Sequence, residues 1–126
     1  MKELEFFRCK KCGNVVLRLS KGQGELVCCG EPMEVLDESS KTGAEEKHLP
    51  VVNKLDKGYE VKVGEVEHPM EEKHLIEWIL GVGEEGVVMS LLSPQDSPVI
   101  RWSCETKIKE VFAYCNLHGL WRKVVE

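Results

Sequence analysis

The chain lacks three features that would assign it to common functional classes. None of its apolar runs approaches the roughly 20 residues that a membrane-spanning helix needs. It has no block of basic residues and its net charge is −5, which disfavours binding to nucleic acid. The N-terminal Met-Lys-Glu-Leu-Glu does not resemble the apolar stretch of a secretory signal. These absences predict a cytoplasmic protein with neither a membrane nor a nucleic-acid partner.

Helical periodicity of any length is also missing, and only the segment 39–48 is a candidate for a turn or two of helix. Short segments with alternating or β-branched residues are instead separated by Gly, Pro, Asp and Ser turns. The predicted strands are 14–19, 59–63, 74–80, 87–92, 99–104, 108–114 and 120–125. Short strands at this spacing predict an all-β fold that contains an antiparallel sandwich or barrel.

The composition changes along the chain and predicts two domains. Residues 1–36 form a first, cysteine-rich unit that is too short to bury a core and would need a metal or a partner chain. Residues 37–44 (Asp-Glu-Ser-Ser-Lys-Thr-Gly-Ala) are polar and contain glycine and serine, which favours a linker. Residues 45–126 contain most of the predicted strands and are long enough for a core of their own.

Four of the six cysteines lie in the first unit, at Cys9, Cys12, Cys28 and Cys29. Cysteine clusters of a reducing compartment more often bind metal than form disulfides. Cys28 and Cys29 are adjacent, and adjacent residues of a strand point to opposite faces, so both can reach one metal only through a local bend. The spacing does not choose between zinc and iron. Cys104 lies in a predicted strand and is interpreted as an apolar residue.

All four histidines lie in short segments suited to metal ligation, namely His48, His68, His74 and His118, the last in Cys115-Asn-Leu-His118-Gly. Four imidazoles and a thiolate exceed what a tetrahedral zinc site needs, and they leave one octahedral position open. A thiolate opposite an open position pushes electron density toward whatever binds there. This set therefore indicates a redox-active transition metal that reduces a small oxygen species.

Five motifs carry a family resemblance. They are Cys9-x2-Cys12-Gly13, Gly24-Glu-Leu-Val-Cys28-Cys29, Glu46-Lys47-His48-x-Pro50-Val51, His68-Pro69-Met70-Glu-Glu-Lys-His74 and Tyr114-Cys115-Asn116-x-His118-Gly119-x-Trp121. Together they resemble the motifs of the desulfoferrodoxins, the two-iron class of superoxide reductases, nearly from end to end. The resemblance implies a small desulforedoxin-like N-terminal domain, an immunoglobulin-like antiparallel β-sandwich and a homodimer.

The same resemblance implies two iron ions per chain and a role for each site residue. Cys9, Cys12, Cys28 and Cys29 would hold a rubredoxin-like iron, whereas His48, His68, His74 and His118 would surround the catalytic iron with Cys115 as axial ligand. The implied reaction is the one-electron reduction of superoxide to hydrogen peroxide, with rubredoxin or a similar protein as electron donor. Lys47 would attract superoxide and help to deliver protons, and Glu46 would cap the ferric resting state.

Several alternatives stay open at the level of sequence. The motif Glu-Glu-Lys-His occurs at 45–48 and again at 71–74, so Lys73 competes with Lys47 as the cation beside the site. A superoxide dismutase would use a similar metal, although a strong thiolate donor favours the reductive half-reaction. A zinc-ribbon-like binding module and a pure electron carrier are further alternatives, but both leave the histidine motifs unexplained.

Overall fold

The structure is a computed structural model that describes residues 4–37 and 41–125, with only the backbone of Glu46. Within these ranges it contains twelve β-strands and one short helix. The helix, α1 (Glu45–His48), is a single turn, and no helix of the described residues is long and apolar enough to cross a bilayer. The all-β fold expected from the sequence is confirmed.

The N-terminal part forms a three-stranded antiparallel sheet in the order β2-β1-β5. Its strands are β1 (Glu5–Arg8), β2 (Val15–Arg18) and β5 (Glu34–Leu36). A separate two-stranded hairpin joins β3 (Val27–Cys28) to β4 (Glu31–Pro32). The loop β1–β2 and this hairpin carry the four cysteines of the first cluster.

The rest of the chain forms two antiparallel sheets that pack face to face, as expected for a sandwich. One has the order β10-β7-β6 and consists of β6 (Pro50–Leu55), β7 (Gly58–Val63) and β10 (Val99–Trp102). The other has the order β12-β11-β8-β9 and consists of β8 (Ile76–Gly83), β9 (Val87–Leu91), β11 (Ile108–Cys115) and β12 (Gly119–Val124). A fully buried core fills the space between them, with Val61, Ile79, Val111 and Cys115 among its members.

The outer face of the larger sheet carries a second core, which it shares with the N-terminal sheet. Phe6 and Leu36 of the N-terminal sheet pack against Trp78, Leu80 and other buried residues of the larger sheet. The Phe6 ring stacks on Trp78 with 5.2 Å between ring centroids. Strands β8 and β11 are therefore buried on both faces. The sandwich of the same chain therefore buries the apolar face of the N-terminal sheet.

Most predicted strands agree with the structure to within a few residues at their ends. Five strands were not predicted: the very short β3, β4 and β5, and the longer β1 (Glu5–Arg8) and β6 (Pro50–Leu55). Neither of the two longer strands has a clean alternation, because β1 places two phenylalanines side by side and β6 begins with Pro-Val-Val. Their partners in the sheets determine their conformation, which a local pattern does not reveal.

Candidate metal centres

The first cysteine pair lies in a tight turn after β1. The backbone N–H of Gly13 donates to the carbonyl of Cys9 at 2.9 Å, and the N–H of Cys9 donates to the carbonyl of Asn14 at 2.8 Å. This turn brings Cys12 Sγ to 3.6 Å from Cys28 Sγ, and Cys28 Sγ lies 4.0 Å from Cys29 Sγ. Sulfurs bound tetrahedrally at about 2.3 Å from one ion would lie roughly 3.8 Å apart. The observed separations agree with such a site.

The bend predicted between the adjacent cysteines is present. Cys29 has φ +53° and Gly30 has φ +77°, so both central residues of the β3–β4 turn are left-handed. Two such residues form the tight hairpin turn that matches the twist of the flanking strands. The reversal of the chain at Cys29 turns its thiol toward the same point as that of Cys28, and the four sulfurs lie within 4.8 Å of one another.

The electrostatics of this cluster favour a bound cation. Hydrogen bonds from the backbone N–H groups of Cys12 and Lys11 lower the pKa of Cys9 to about 7, against the smaller opposing effect of burial. The neighbouring Cys12 and Cys9 thiols, by contrast, raise the pKa of Cys29 to about 12. Four thiols this close cannot all ionise unless a positive ion compensates their charge. The donor set therefore fits a four-thiolate metal ion.

The second cluster gathers its ligands from three segments at one end of the sandwich. His48 is the last residue of α1, and His68 and His74 lie in the connection from β7 to β8. Cys115 ends β11, and His118 lies in the turn that leads to β12. Their five candidate ligand atoms all lie within 4.8 Å of one another. His48, His68 and Cys115 are buried, whereas His74 and His118 are partly exposed.

The four imidazole rings form a closed cycle. Ring centroids are 4.6 Å apart for His48 and His68, and 4.7 Å apart for His68 and His74. The cycle closes through His74 and His118 at 5.0 Å, and through His118 and His48 at 4.7 Å. Each ring is tilted by 72–80° to the next. His48 therefore lies opposite His74, and His68 lies opposite His118, as in a square of four ligands.

The hydrogen bonds of the rings leave the inner nitrogens free for a metal. Nδ1 of His48 donates to the Ala44 carbonyl at 2.6 Å, and Nδ1 of His68 donates to the Pro69 carbonyl at 2.7 Å. Each Nε2 therefore carries a lone pair, yet the two Nε2 atoms lie only 3.1 Å apart. Nε2 of His74 is buried and has no hydrogen-bond partner among the described residues. Facing lone pairs repel each other, so this arrangement fits a cation at the centre of the square.

The separations between nitrogens agree with this interpretation. Nε2 of His48 lies 3.0 Å from Nδ1 of His118 and 3.1 Å from Nε2 of His68. Two nitrogens bound at right angles, each about 2.1 Å from one ion, would lie about 3.0 Å apart. His118 thus offers Nδ1 to the site, whereas His48 and His68 offer Nε2.

The thiol of Cys115 is completely buried beside this square, with its Sγ 3.7 Å from Nδ1 of His118. Burial raises the pKa of Cys115, although hydrogen bonds from the backbone N–H groups of Leu117 and His118 act in the opposite direction. A thiol in such a place ionises when a metal replaces its proton. The two amides are then positioned to stabilise the thiolate.

Burial favours the neutral form of three of the histidines, which is the form that binds a metal. It is the largest cause of the lowered pKa of His48 and of His74, and it lowers the pKa of His68 to about 4. The other imidazoles of the cycle act in the same direction. The charge of Lys47 contributes at both His48 and His74.

Lys47 and Lys73 are both exposed, but they differ in their relation to the site. The charge of Lys47 acts on two imidazoles at opposite corners of the square. The backbone of Lys73 is tied down instead, because its carbonyl accepts a hydrogen bond from Nδ2 of Asn116 at 2.9 Å. The side chain of Glu46 lies outside what the structure describes, so its predicted role stays a prediction.

Asn116 is a site residue to which the sequence assigned no role. Besides its bond to Lys73, its Oδ1 accepts the N–H of Leu75 at 3.0 Å. Its own backbone N–H donates to the Leu75 carbonyl at 3.3 Å. These bonds fix the segment that carries His74 to the turn that carries Cys115 and His118. Its position between two ligands in Cys-Asn-x-His was the signal in the sequence that could have identified it.

Cys104 lies in neither cluster and packs against the sandwich core.

Comparison with known proteins places these two clusters in one family. The family model described as desulfoferrodoxin matches residues 40–124, and the desulfoferrodoxin N-terminal domain model matches residues 1–36. The chain is similar to the desulfoferrodoxin of Syntrophotalea carbinolica, with 49% identity over 94% of both chains. It is also similar to the desulfoferrodoxin of Nitratidesulfovibrio vulgaris, with 46% identity over 95% of both chains.

A solved structure agrees with these sequence relatives. The fold is similar to that of the superoxide reductase from Treponema pallidum, with a TM-score of 0.79 and 30% sequence identity. The similarity covers 96% of this chain and 97% of that protein. It therefore includes both the N-terminal sheet and the sandwich.

Proposed function

This chain belongs to the desulfoferrodoxin family, and we propose on that basis that it is a superoxide reductase. The reaction combines superoxide, one electron and two protons to give hydrogen peroxide, without release of dioxygen. The observation that carries the proposal is the square of four imidazoles with the buried Cys115 thiol beside it. A structural zinc site uses four ligands and leaves no position for a substrate.

Each cluster holds one iron ion, so the chain carries two. Cys9, Cys12, Cys28 and Cys29 hold a rubredoxin-like iron, and the four histidines with Cys115 hold the catalytic iron. When bound, the catalytic iron supplies the single electron and an exchangeable coordination position. The thiolate of Cys115 makes the site electron-rich, which favours reduction of the substrate over its oxidation.

We propose that Lys47 provides the positive charge that draws superoxide to the site. The protein has a net charge of −5, so at long range it repels an anion. A cation beside the imidazole square would make the electrostatic potential positive at the point where superoxide enters. The ammonium of Lys47 also orders water that can deliver protons to the forming peroxide. Its electrostatic effect on both His48 and His74 supports this role over that of Lys73.

For Glu46 we propose a role after turnover. Its position next to Lys47 in the single turn of α1 places its backbone close to His48. A carboxylate is a hard ligand, which a more highly charged oxidised ion prefers. Glu46 would thus cap the oxidised resting state and leave when the site is reduced again.

The division into domains is likewise proposed. Residues 1–36 would form the four-cysteine domain, 37–44 the linker and 45–126 the catalytic sandwich.

A rubredoxin or a similar small protein would be the electron donor. A cytoplasmic homodimer that detoxifies superoxide under oxidative stress is the biological setting that we infer.

The direct test is stoichiometric. Fully reduced, iron-loaded protein is mixed anaerobically with superoxide, and the peroxide and dioxygen formed are counted per superoxide consumed. A reductase gives one peroxide per superoxide and no dioxygen. Release of dioxygen with half as much peroxide would instead indicate a dismutase, and absence of reaction would refute an enzymatic role.

A further inference from the structure

The segment Lys41–Ala44, which the sequence suggested to be a linker, lies against the catalytic site. The backbone N–H of Thr42 donates to the carbonyl of His118 at 2.8 Å. The carbonyl of Ala44 accepts the Nδ1 proton of His48 at 2.6 Å. Thr42 and Ala44 are thus hydrogen-bonded to His118 and His48, which are neighbours in the imidazole square.

Gly43, between these two contacts, leaves little room for a side chain. A Cβ atom at this position would lie 3.0 Å from Cγ and Cδ2 of the His118 ring and 3.2 Å from Cε1 of His48. Separations this short are tighter than most real Cβ contacts, so the two rings would have to shift by a few tenths of an ångström. Gly43 also has φ +91°, a conformation that residues with a side chain rarely adopt. The backbone of Gly43 is therefore packed directly on both rings.

Trp121 packs against one face of the His48 ring. Its ring is buried and stacks on the His48 ring with 5.0 Å between centroids and 15° between planes. The ammonium of Lys41 lies 5.2 Å from the centre of the Trp121 ring. The segment therefore reaches around the site, contacts both His118 and His48, and is anchored on Trp121 through a cation–π interaction.

We infer that Lys41–Ala44 is a strap that positions His48 and His118 for the metal, and that Gly43 is its essential positioning residue. The strap acts through the ligands and does not itself touch the substrate. Groups that orient metal-bound histidines typically contribute about 10- to 100-fold to metal affinity. The inference rests on the five-ligand metal site and not on the reaction proposed for it.

The test compares three variants of the full-length, iron-loaded protein. Gly43→Ala adds both the Cβ and the backbone strain. Gly43→Asn adds the Cβ in a residue that tolerates positive φ better, so it also covers the case in which Gly43→Ala does not fold. Gly86→Ala is the control, since Gly86 also has positive φ, +158°, but has open space where its Cβ would be.

Two readouts do not depend on superoxide. They are the loss of ferrous iron from the histidine site to a competing chelator, and the thiolate-to-iron charge-transfer band of that site. We expect both Gly43 variants to bind iron about 10- to 100-fold more weakly and to shift the band, while the four-thiolate absorption stays unchanged. Gly86→Ala should match the wild type in both. Wild-type iron affinity in Gly43→Asn, or an equal loss in Gly86→Ala, would overturn the inference.

Discussion

The contact between the N-terminal sheet and the sandwich can be tested at Phe6. Its ring is 3% exposed and lies 5.2 Å, centroid to centroid, from both Trp78 and Phe112. Replacement of a buried phenylalanine with alanine costs about 3–5 kcal/mol. Each aromatic pair contributes about 0.5–1.5 kcal/mol beyond the buried area, so we expect Phe6→Ala to fall in the upper part of that range.

Urea denaturation of the iron-loaded protein measures this loss. Trp78 lies in the contact, so tryptophan fluorescence reports its disruption, and the four-thiolate absorption reports the N-terminal part independently. A loss of this size is a large fraction of the about 5–15 kcal/mol that stabilises a typical domain. We therefore expect the four-thiolate signal of Phe6→Ala to disappear at a clearly lower urea concentration than in the wild type.

Val16→Ala is the matched control, because Val16 lies in the same sheet and its side chain is exposed at 36%. Its replacement should change the free energy of unfolding by less than about 1 kcal/mol. If Phe6→Ala changed stability no more than this control, the N-terminal sheet would not depend on the sandwich for its apolar packing.

Three further predictions concern charge and ligation. Lys47→Met should slow the reaction with superoxide by about tenfold or more and weaken the dependence of its rate on ionic strength. Lys73→Met should leave the rate and its salt dependence unchanged. The opposite result would mean that Lys73, and not Lys47, attracts superoxide. Cys115→Ser should abolish the thiolate-to-iron charge transfer of the catalytic site, and survival of that band would exclude Cys115 as the ligand. Burial alone would raise the pKa of Glu34, but the Arg8 guanidinium, with Nε 2.8 Å from Oε1, outweighs it, so the pKa is lowered. This pair therefore stabilises the fold above the unfolded carboxyl pKa of about 4.3, and the stabilisation is lost as the pH falls through the lower folded pKa. The difference in unfolding free energy between the wild type and Glu34→Gln should shrink in that acid range, and a difference independent of pH would contradict the assignment.

The ligands of both clusters could be predicted from sequence because the chemistry of each is local. The chain has four histidines and six cysteines, and all of them except Cys104 occur in short ligand motifs. The bend at Cys29 followed from the alternation of side chains along a strand. The order of the histidines around the square did not follow, because it depends on how α1, the β7–β8 connection and the β11–β12 turn meet in space.

The contacts that support the ligands could not be predicted from the sequence. Polar residues between two domains predict a linker, and nothing in Lys-Thr-Gly-Ala shows that Gly43 packs on His118. The neighbouring phenylalanines of β1 likewise give no sign of which one faces the sandwich. Such contacts join residues that are distant in sequence, and single-chain patterns carry no record of them.

The position of Cys115 and His118 also has a consequence for the order of assembly. These residues are three positions apart in the turn of one hairpin, whereas 70 positions separate His48 from His118. A hairpin forms within about 1–10 μs, and closure of much longer loops carries a larger entropy cost. We therefore expect the hairpin to offer a two-donor chelate early in folding, before the other histidines come near it. A metal ion captured there would act as a template that recruits the remaining segments, so iron supply and folding of the sandwich would be kinetically linked.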